Sequence, residues 1–251
     1  MKGECIWISG ASSGIGEACA RRFAQAGAKT LLIARREERL RTLARELGEG
    51  CEVLVLDLGQ RQALTEALTR LPASHAQPSV LINNAGGAIG LDPAQEAEMD
   101  DWEAMVDINV KGLLYLTRAV LPTMIAVGKG HIVNLGSVAG SYPYPGGNVY
   151  GACKAFVAQL SRNLRADLLG TPLRVSNIEP GLVDTEFSTV RFKGDEARAA
   201  GVYQGMEPLH ASDIAEAVFW CVSRPAHVNI NAIELMPVAQ AWSGFRVMRE
   251  S

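Results

Sequence analysis

Short apolar runs rich in Ile, Leu and Val recur along the chain, and each is followed by Gly, Asp, Asn, Ser or Pro, a pattern that predicts buried β-strands. Between these runs, apolar residues recur at the spacing of three and four that is typical of amphipathic helices. The predicted strands are residues 4–9, 29–34, 52–56, 80–83, 131–137, 173–178 and 232–236. The predicted helices are residues 14–26, 37–47, 61–71, 101–127, 148–169 and 212–222.

Strands that alternate with helices pair in parallel through right-handed crossovers, and the helices then cover both faces of the sheet. We therefore expect an α/β fold, a Rossmann-type doubly wound sheet of about seven mainly parallel strands. A length of 251 residues suits one domain that spans residues 1–251. Residues 182–206 show no clear period and predict a substrate-covering loop with some helix of its own. Residues 237–251 receive no assignment.

The charge pattern argues against several classes of protein. The chain has 24 Lys and Arg against 27 Asp and Glu, and in residues 35–49 the two signs are interleaved as on a solvated helix face. The five Cys form no CxxC pair and the four His show no ligand spacing, so we expect a reducing compartment and no metal site. The first residues do not form a signal peptide. We expect a cytoplasmic protein that binds neither nucleic acid nor membrane.

Candidate binding residues fall where predicted strands end. The first strand runs into SGASSGIG, in which Gly10, Gly14 and Gly16 predict a tight turn into a helix, with Ser12 or Ser13 as N-cap. Free N–H groups and the helix dipole at such an N-terminus suit a phosphate. This spacing alone is also typical of an ordinary turn between strand and helix. Further strand ends place Asp57, Asn84, Ser137 and Pro180 at the same edge, where ligands bind in such sheets.

Tyr150 and Lys154 lie four residues apart at the start of a predicted helix, so they share one face. An ammonium near a phenol favours the phenolate, and Ser137 at a strand end can hold a substrate oxygen while Tyr150 gives or takes its proton. The three residues predict an acid/base site for an alcohol or a carbonyl. A Tyr and Lys pair at this spacing is common on helices and is not decisive alone. Asn109, inside an apolar helix face, is either solvent-facing or functional.

Taken together, SGASSGIG at 9–16, NNAG at 83–86, Asn109, Ser137, Tyr150 with Lys154, and PG at 180–181 resemble the short-chain dehydrogenase/reductase family over essentially the whole chain. The family usually has Thr where this chain has Ser9, which keeps the hydroxyl. The resemblance implies Tyr150 as general acid/base, Lys154 as its pKa-lowering partner and ribose ligand, and Ser137 as the anchor of the substrate oxygen. It implies Asn109 as the support of a water-linked proton path.

The resemblance also implies an NAD(P) cofactor and a homo-oligomer, a tetramer. An apolar stripe formed by Phe156, Leu160, Leu164 and Leu168 is either core packing or a subunit contact. The expected cofactor-binding residues are Gly10, Ser12, Ser13, Gly14, Ile15, Gly16, Arg35, Arg36, Asp57, Leu58, Asn84, Ala85, Gly86, Tyr150, Lys154, Pro180, Gly181, Val183 and Thr185.

The end of the second strand predicts NADP rather than NAD. NAD-selective sheets place an acid about 20 residues after the glycine turn, whereas this chain has Ala34, Arg35 and Arg36 there. A guanidinium matches the 2'-phosphate of NADP. The alternative is that both arginines are surface residues paired with Glu37 or Glu38, and Glu37 could then serve a ribose.

Three segments, GGNVYGACKAFV, IEPGLVDTEFSTVRFKGD and PAHVNINAIELMPVAQ, resemble the NADP-dependent 3-hydroxy acid dehydrogenase branch, which includes serine 3-dehydrogenases. This resemblance implies hydride transfer between the nicotinamide and the β-carbon of a small, serine-like 3-hydroxy acid or 3-oxo acid. The alternative enzyme is an NADPH-dependent reductase of xenobiotic ketones, sugars or 3-oxoacyl groups. A nucleotide sensor without turnover or an oligomeric scaffold is disfavoured by the intact Ser137, Tyr150 and Lys154.

A substrate carboxylate requires a cation, and the predicted loop offers Arg191 and Lys193. We expect Arg191, because its planar fork can bind both carboxylate oxygens where an ammonium acts as a point charge. The competing interpretation is that Arg191 pairs with an acid such as Asp195 or lies at a subunit contact.

Overall fold

The computed structural model describes residues 1–242. Its strands are β1 (Cys5–Ser9), β2 (Lys29–Ala34), β3 (Cys51–Val55), β4 (Val80–Asn83), β5 (His131–Leu135), β6 (Arg174–Pro180), β7 (Val183–Asp184), β8 (Leu209–His210) and β9 (Ala232–Leu235). The helices are α1 (Gly14–Gln25), α2 (Glu37–Leu47), α3 (Arg61–Leu68), α4 (Met99–Val106), α5 (Gly112–Val127), α6 (Asn148–Asp167), α7 (Phe187–Arg191), α8 (Glu196–Gly201) and α9 (Ala211–Val222). A π-helical turn, Asp107–Lys111, joins α4 to α5, and a short 3₁₀ turn, Val138–Gly140, follows β5.

Seven strands form one sheet in the order β3-β2-β1-β4-β5-β6-β9, and every neighbouring pair is parallel. The chain winds outward from β1 to β3, then returns to β4 on the other side of β1. Strand order therefore reverses between β1 and β4, which opens a crevice at their carboxyl ends. The predicted doubly wound sheet of about seven strands is confirmed. β7 and β8 form a separate parallel pair outside this sheet.

Helices cover both faces of the sheet, so its central strands are apolar at nearly every position. On one face, Ile6 and Ile8 of β1 pack with residues of α1, α2 and α9 that include Phe23, Leu40 and Ile214. On the other face, Trp7 belongs to a cluster with Leu116, Val120 and Met124 of α5. Each large apolar side chain that is fully buried contributes roughly 1.5–3 kcal/mol. The two cores hold the strand ends rigidly in place.

Several predicted boundaries differ from the structure. The helix predicted for residues 101–127 begins at Met99, and its regular pattern changes at the π-helical turn while the helix continues through Pro122. β6 extends two residues beyond its predicted end, because Glu179 and Pro180 pair with β9. Residues 182–206 contain β7, α7 and α8, in agreement with the helix expected there. Residues 243–251, in the unassigned tail, lie outside the described residues.

α9 begins at Ala211, one residue before the predicted start, and its N-cap residue is His210. The backbone N–H of His210 donates to the carboxylate of Asp213 at 2.7 Å. An acid in the first helical turn thus satisfies a backbone donor at this end.

The helical stretch Met99–Val127 has the length and apolarity of a membrane span. Its buried side chains include Leu113, Leu116, Val120 and Met124. Three of these, Leu116, Val120 and Met124, belong to the core cluster beneath the sheet. A core helix of a sheet protein has this same composition, so the stretch is weak evidence for a membrane.

One buried hydroxyl joins the two strands that flank the crevice. Ser9 Oγ, at the end of β1, accepts hydrogen bonds from the backbone N–H groups of Asn84 at 3.0 Å and Ala85 at 2.9 Å. The Asn84 side-chain amide donates in return to the carbonyl oxygens of Ser9 and Gly10. The hydroxyl that Ser9 shares with Thr therefore fixes the loop after β4 against the glycine turn after β1.

Candidate active site

The glycine turn after β1 is closed too tightly for side chains. Gly10 has φ +66°, and a Cβ at Gly16 would collide with the Gly10 carbonyl oxygen. α1 starts at Gly14, so Ser13 holds the N-cap position, but its side chain makes no capping hydrogen bond. The predicted serine therefore occupies the N-cap position, but it does not make the capping hydrogen bond that the prediction implied. The first N–H groups of α1 remain available to an anion.

Arg36 lies over this turn. Its Nε donates to Ser12 Oγ at 3.0 Å, Nη2 donates to Ser13 Oγ, and Nη1 pairs with Glu186 at 2.7 Å. Arg35 is exposed and makes no side-chain hydrogen bond or ion pair within residues 1–242. Of the two predicted arginines, the structure therefore brings Arg36 to the turn.

The acids predicted as alternative partners do not hold Arg36. Glu37 pairs instead with Arg41 one helical turn further along α2, at 2.7 Å. Glu186 also pairs with Arg39, so one carboxylate joins two guanidinium groups. The hydroxyls, the guanidinium groups and the helix N-terminus form a donor set suited to phosphate groups.

The predicted residues at the next strand ends lie along the same crevice. Asp57, two residues past β3, is exposed and accepts a hydrogen bond from the Gly59 N–H at 3.0 Å. Leu58 is buried beside it. Asn84 and Ala85 are held by Ser9 as described above. A Cβ at Gly86 would lie 3.4 Å from Lys154 Nζ, so this backbone passes directly beside the catalytic candidate.

The end of β6 supplies the opposite wall. The Gly181 N–H donates to the Leu235 carbonyl at 2.8 Å, and Val183 is buried in β7. Thr185 then approaches the glycine turn, because its side chain would lie 3.3 Å from a Cβ at Gly14. Ile15, just after that glycine, is half-buried and packs against the core, and its role toward a cofactor stays a prediction. Pro180, Gly181, Val183 and Thr185 thus border the crevice as expected, and their roles toward a cofactor stay predictions.

The three catalytic candidates converge from β5 and α6. Tyr150 and Lys154 lie on the buried face of α6 with only 8% and 7% of their surfaces exposed. Lys154 Nζ donates to the Leu135 carbonyl at 2.8 Å and lies 5.7 Å from the centroid of the Tyr150 ring. Ser137 Oγ donates to the Pro180 carbonyl at 3.4 Å and accepts from the Ala139 N–H at 3.1 Å. The predicted triad is therefore brought together at the carboxyl ends of β5 and β6.

Burial shifts the two titratable groups in opposite directions. It raises the pKa of Tyr150 well above the usual phenol value, and the Ser137 hydroxyl and the Arg191 charge oppose this only in part. It lowers the pKa of Lys154 to about 8. The Lys154 ammonium donates to the Leu135 carbonyl, and within the described residues no hydrogen bond joins it to the phenol oxygen. Its role in favouring the phenolate stays a prediction.

The Asn109 side chain is buried and fully engaged. Its Nδ2 donates to the carbonyl oxygens of Gly87 and Met105, both at 2.8 Å, and its Oδ1 accepts from the Gly87 N–H at 3.2 Å. Of the two interpretations, solvent-facing or functional, the first is wrong. Asn109 fastens the loop after β4 to the π-helical turn, a feature found frequently at functional sites. Its part in a water-linked path stays a prediction.

Arg191, at the end of α7, faces the catalytic candidates. Its Nε donates to the Gly90 carbonyl at 3.1 Å and its Nη2 to the Gly146 carbonyl at 3.5 Å. The guanidinium carbon lies 5.2 Å from the centroid of the Tyr144 ring and 5.9 Å from that of Tyr150. Its polar side-chain partners within the described residues are therefore uncharged carbonyls.

The other charged groups of this segment are engaged elsewhere. The Asp195 carboxylate, proposed above as a partner of Arg191, accepts from the Arg198 N–H at 3.0 Å instead. Lys193, the second candidate cation, pairs with Asp101 at 2.8 Å. Of the two candidates, Arg191 is thus the one directed at Tyr150.

Four residues of the site were not found by sequence reasoning. Tyr144 stacks against Arg191, and its position in the aromatic and proline-rich run before α6 was a usable signal. Glu186 and Arg39 join the site through the ion pairs described above. Gln240, beyond β9, accepts the Leu182 N–H at 2.8 Å, a contact that no local pattern announces.

Comparison with known proteins agrees with this geometry. The family model for short chain dehydrogenase matches residues 4–196. The NADP-dependent 3-hydroxy acid dehydrogenase YdfG of Salmonella typhi is 54% identical over 245 residues, which are 97% of this chain and 99% of that protein. Sulfoacetaldehyde reductase 2 of Chromohalobacter salexigens is 49% identical over 250 residues, 98% of this chain and 99% of that protein. A solved structure of the closed form of serine dehydrogenase complexed with NADP+ has a TM-score of 0.97 at 52% identity, covering 98% of this chain and 100% of that one.

The burial of Lys154 predicts a pH dependence of stability. The pKa of this lysine is about 8 in the folded, ligand-free chain, against about 10.4 in an unfolded chain. Between these values the unfolded chain binds more protons, so the free energy of unfolding should rise with pH from about 8 to about 10. Lys154→Met has a similar volume and no charge, and it should remove this rise, up to roughly 3 kcal/mol. Urea denaturation of both ligand-free proteins from about pH 7 to about pH 10 measures the difference, and parallel profiles would contradict the assignment.

Proposed function

The chain belongs to the short chain dehydrogenase family, and from this premise we propose that it is an NADP-dependent oxidoreductase of small 3-hydroxy acids. It transfers a hydride between the nicotinamide and the β-carbon of a serine-like 3-hydroxy acid or 3-oxo acid. The observation that carries this proposal is the convergence of half-buried Ser137 with buried Tyr150 and Lys154 next to the loop after β4. The names of the relatives support both the cofactor and the substrate class.

The residues of the crevice fit NADP. The N-terminus of α1 and the hydroxyls of Ser12 and Ser13 suit its phosphates, and the Arg36 guanidinium beside them suits the 2'-phosphate. Lys154, 3.4 Å from the Cβ position of Gly86, would hold a ribose hydroxyl. When bound, the nicotinamide supplies the hydride acceptor in its oxidised form and the hydride donor in its reduced form.

The chain's own residues move the proton. Ser137 Oγ holds the substrate oxygen, and the Tyr150 hydroxyl lies on the adjoining face of α6. For oxidation, Tyr150 as phenolate takes the proton of the substrate hydroxyl while the hydride leaves the β-carbon. For reduction, the neutral phenol returns that proton to the oxygen. Burial favours the neutral phenol, which is the form that reduction requires, and positive charge from Lys154 and Arg191 favours the phenolate that oxidation requires.

A shared feature of the relatives' substrates supports a role for Arg191. A 3-hydroxy acid carries its carboxylate on the carbon next to the reacting carbon, and sulfoacetaldehyde carries its sulfonate on the carbon next to its carbonyl. Both therefore need an anion site one carbon away from the hydride transfer. Arg191 lies 5.9 Å from the Tyr150 ring, and within residues 1–242 its side chain contacts only carbonyls and ring faces. A sulfonate aldehyde is accordingly a second candidate substrate for the same site.

Surface apolar residues support a homo-oligomer, with the tetramer as the proposed state. Of the stripe on α6, Leu168 is buried in the core but Phe156 is 38% exposed, so the stripe is only partly core packing. Ile125 and Val127 of α5 are 47% and 57% exposed. Burying such side chains in a subunit contact is favourable. All five cysteines are free, which supports a reducing, cytoplasmic location.

Tyr150→Phe tests the catalytic assignment. Removing the hydroxyl should lower kcat for a 3-hydroxy acid with NADP by roughly 10²- to 10⁴-fold, because general acid/base catalysis is lost. Tyr115→Phe, which removes a hydroxyl on α5 away from the site, is the matched control and should keep its activity. Turnover is followed by NADPH absorbance, and binding of NADPH to both variants confirms folding. Near-native turnover of Tyr150→Phe would refute the assignment.

Arg36 and Arg35 provide a paired test of cofactor choice. Arg36→Ala should weaken NADP binding by roughly 10-fold or more, the value of one charge-assisted contact, and leave NAD binding nearly unchanged. Arg35→Ala is measured beside it, because both arginines are expected to bind the cofactor and only Arg36 contacts Ser12 and Ser13. Calorimetric titration of both variants with both cofactors measures this. Equal losses for NAD and NADP would show that Arg36 does not recognise the 2'-phosphate.

Arg191→Lys tests the carboxylate site. The charge remains but the fork is lost, so the KM for a 3-hydroxy acid should rise by roughly 10-fold, while the KM for an uncharged alcohol should change little. Lys193→Arg, a neighbouring change in a residue that pairs with Asp101, is the control. If the KM rises equally for acid and alcohol, Arg191 is structural and the anion binds elsewhere.

Light scattering after gel filtration tests the oligomer. The wild-type protein at micromolar concentration should have four times the mass of one chain. Phe156→Glu places a charge on the α6 face and should lower that mass, whereas Val55→Glu, at the equally exposed end of β3, should not. A wild-type mass of a single chain would contradict the proposed assembly.

A further inference from the structure

Glu186 connects two regions that are far apart in sequence. It is the N-cap residue of α7, the helix that ends at Arg191 beside Tyr150. One carboxylate oxygen pairs with Arg36 Nη1 at 2.7 Å and the other pairs with Arg39 Nη1. These two guanidinium groups lower the pKa of Glu186, so the carboxylate stays ionised at neutral pH. The segment is thereby tied to the start of α2.

The ion pairs continue into the phosphate-binding turn. Arg36 uses its other nitrogens to bind Ser12 and Ser13, so an unbroken chain of hydrogen bonds runs from Glu186 to that turn. A guanidinium has five N–H donors, and Arg36 therefore keeps donors for a phosphate. Two arginines also carry more positive charge than one carboxylate can neutralise. A second anion can bind here while Glu186 stays in place.

The opposite end of the same segment is tied to the substrate side. The Gly90 N–H donates to the Arg191 carbonyl at 2.8 Å, and Lys193 pairs with Asp101 of α4. Residues 186–193 thus form a strap with Glu186 at the cofactor end and Arg191 beside Tyr150. The five-residue helix α7 connects the two ends of this strap.

We propose that Glu186 is a positioning residue that couples closure of this strap to recognition of the 2'-phosphate of NADP. This inference rests on the proposed function and adds to it. By holding Arg36 and Arg39, Glu186 keeps both guanidinium groups at the phosphate position and keeps the strap across the nucleotide. A phosphate that binds Arg36 should in turn stabilise the ion pair between Arg36 and Glu186, because coupling between two binding events is reciprocal.

Glu186→Gln tests the role in binding, since it keeps the shape and removes the charge. Both pairs are partly exposed and individually weak, so NADPH affinity should fall by roughly 3- to 10-fold, with a smaller change for NADH. The matched control is Glu46→Gln, which breaks a comparable pair with Arg21 at the far end of α2 and should leave both affinities unchanged. Tighter NADPH binding by Glu186→Gln would show that the carboxylate competes with the phosphate and would overturn the proposal. An unchanged affinity would overturn it too.

Limited proteolysis gives a second readout that needs no catalysis. Trypsin can cut the segment at Arg191, Lys193 and Arg198. The ligand-free Glu186→Gln variant should be cut here several-fold faster than the wild type and Glu46→Gln, and NADPH should protect it less. Equal cleavage of the variant and the wild type would overturn the strap role. If the wild type itself fails to bind NADPH, the proposed function is wrong, and faster cleavage of the variant would still show that Glu186 fastens the segment.

Discussion

The desolvation of two ionisable side chains on one face of α6 is the constraint on which the site depends. Burial disfavours the charged form of each, raising the pKa of Tyr150 and lowering that of Lys154 to about 8. A fold can bury two ionisable groups of this kind only where polar groups at fixed positions provide hydrogen-bond partners for them. The Leu135 carbonyl at the end of β5 accepts a hydrogen bond from Lys154, and the Ser137 hydroxyl lies beside Tyr150. The two apolar cores of the sheet hold these partners in place, and the stability that the cores provide offsets the free-energy cost of burying the two groups.

The parallel sheet decides which residues can meet at this site. Strands that all run in one direction bring the ends of β1, β4, β5 and β6 to a single edge. Hydroxyl and amide groups then connect neighbouring ends, as Ser9 does for the loop after β4 and Ser137 does for Pro180. The strap after β7 closes this edge with an acid at one end and a base at the other. Glu186 pairs with Arg36 and Arg39 at one end of the strap, and the Arg191 guanidinium lies beside Tyr150 at the other.

The fold was predictable because its signals are local. Residues that are buried on both faces of a sheet form continuous apolar runs, and seven such runs were found with errors of one or two residues at their ends. The errors arise where pairing is decided by a distant strand, as for Glu179 and Pro180 against β9. The short pair β7 and β8 escaped detection because two residues carry no period.

The sequence was enough to identify most residues of the candidate site. It was not enough to predict which of these residues contact one another. Arg35 and Arg36 are equivalent in the sequence, and only the path of the chain from β2 into α2 brings Arg36 over Ser12 and Ser13. Ser13 Oγ accepts from Arg36 and makes no capping hydrogen bond to α1. Glu186 lies 150 residues away from Arg36, so no local pattern relates the two.

The sequence indicated that Asn109 matters, and the structure shows what its side chain does. Both N–H groups of its side-chain amide donate to the carbonyls of Gly87 and Met105, and its Oδ1 accepts from the Gly87 N–H. The side chain therefore has no donor left for a water-linked path. The π-helical turn around it shifts the backbone pairing by one residue, with the Gly112 N–H donating to the Asp107 carbonyl. A turn of this kind inserts an extra residue into the helical ladder and leaves a carbonyl without its usual donor. The part of Asn109 in a water-linked path stays a prediction, and the observed role of its buried amide is to fasten this turn to the loop after β4.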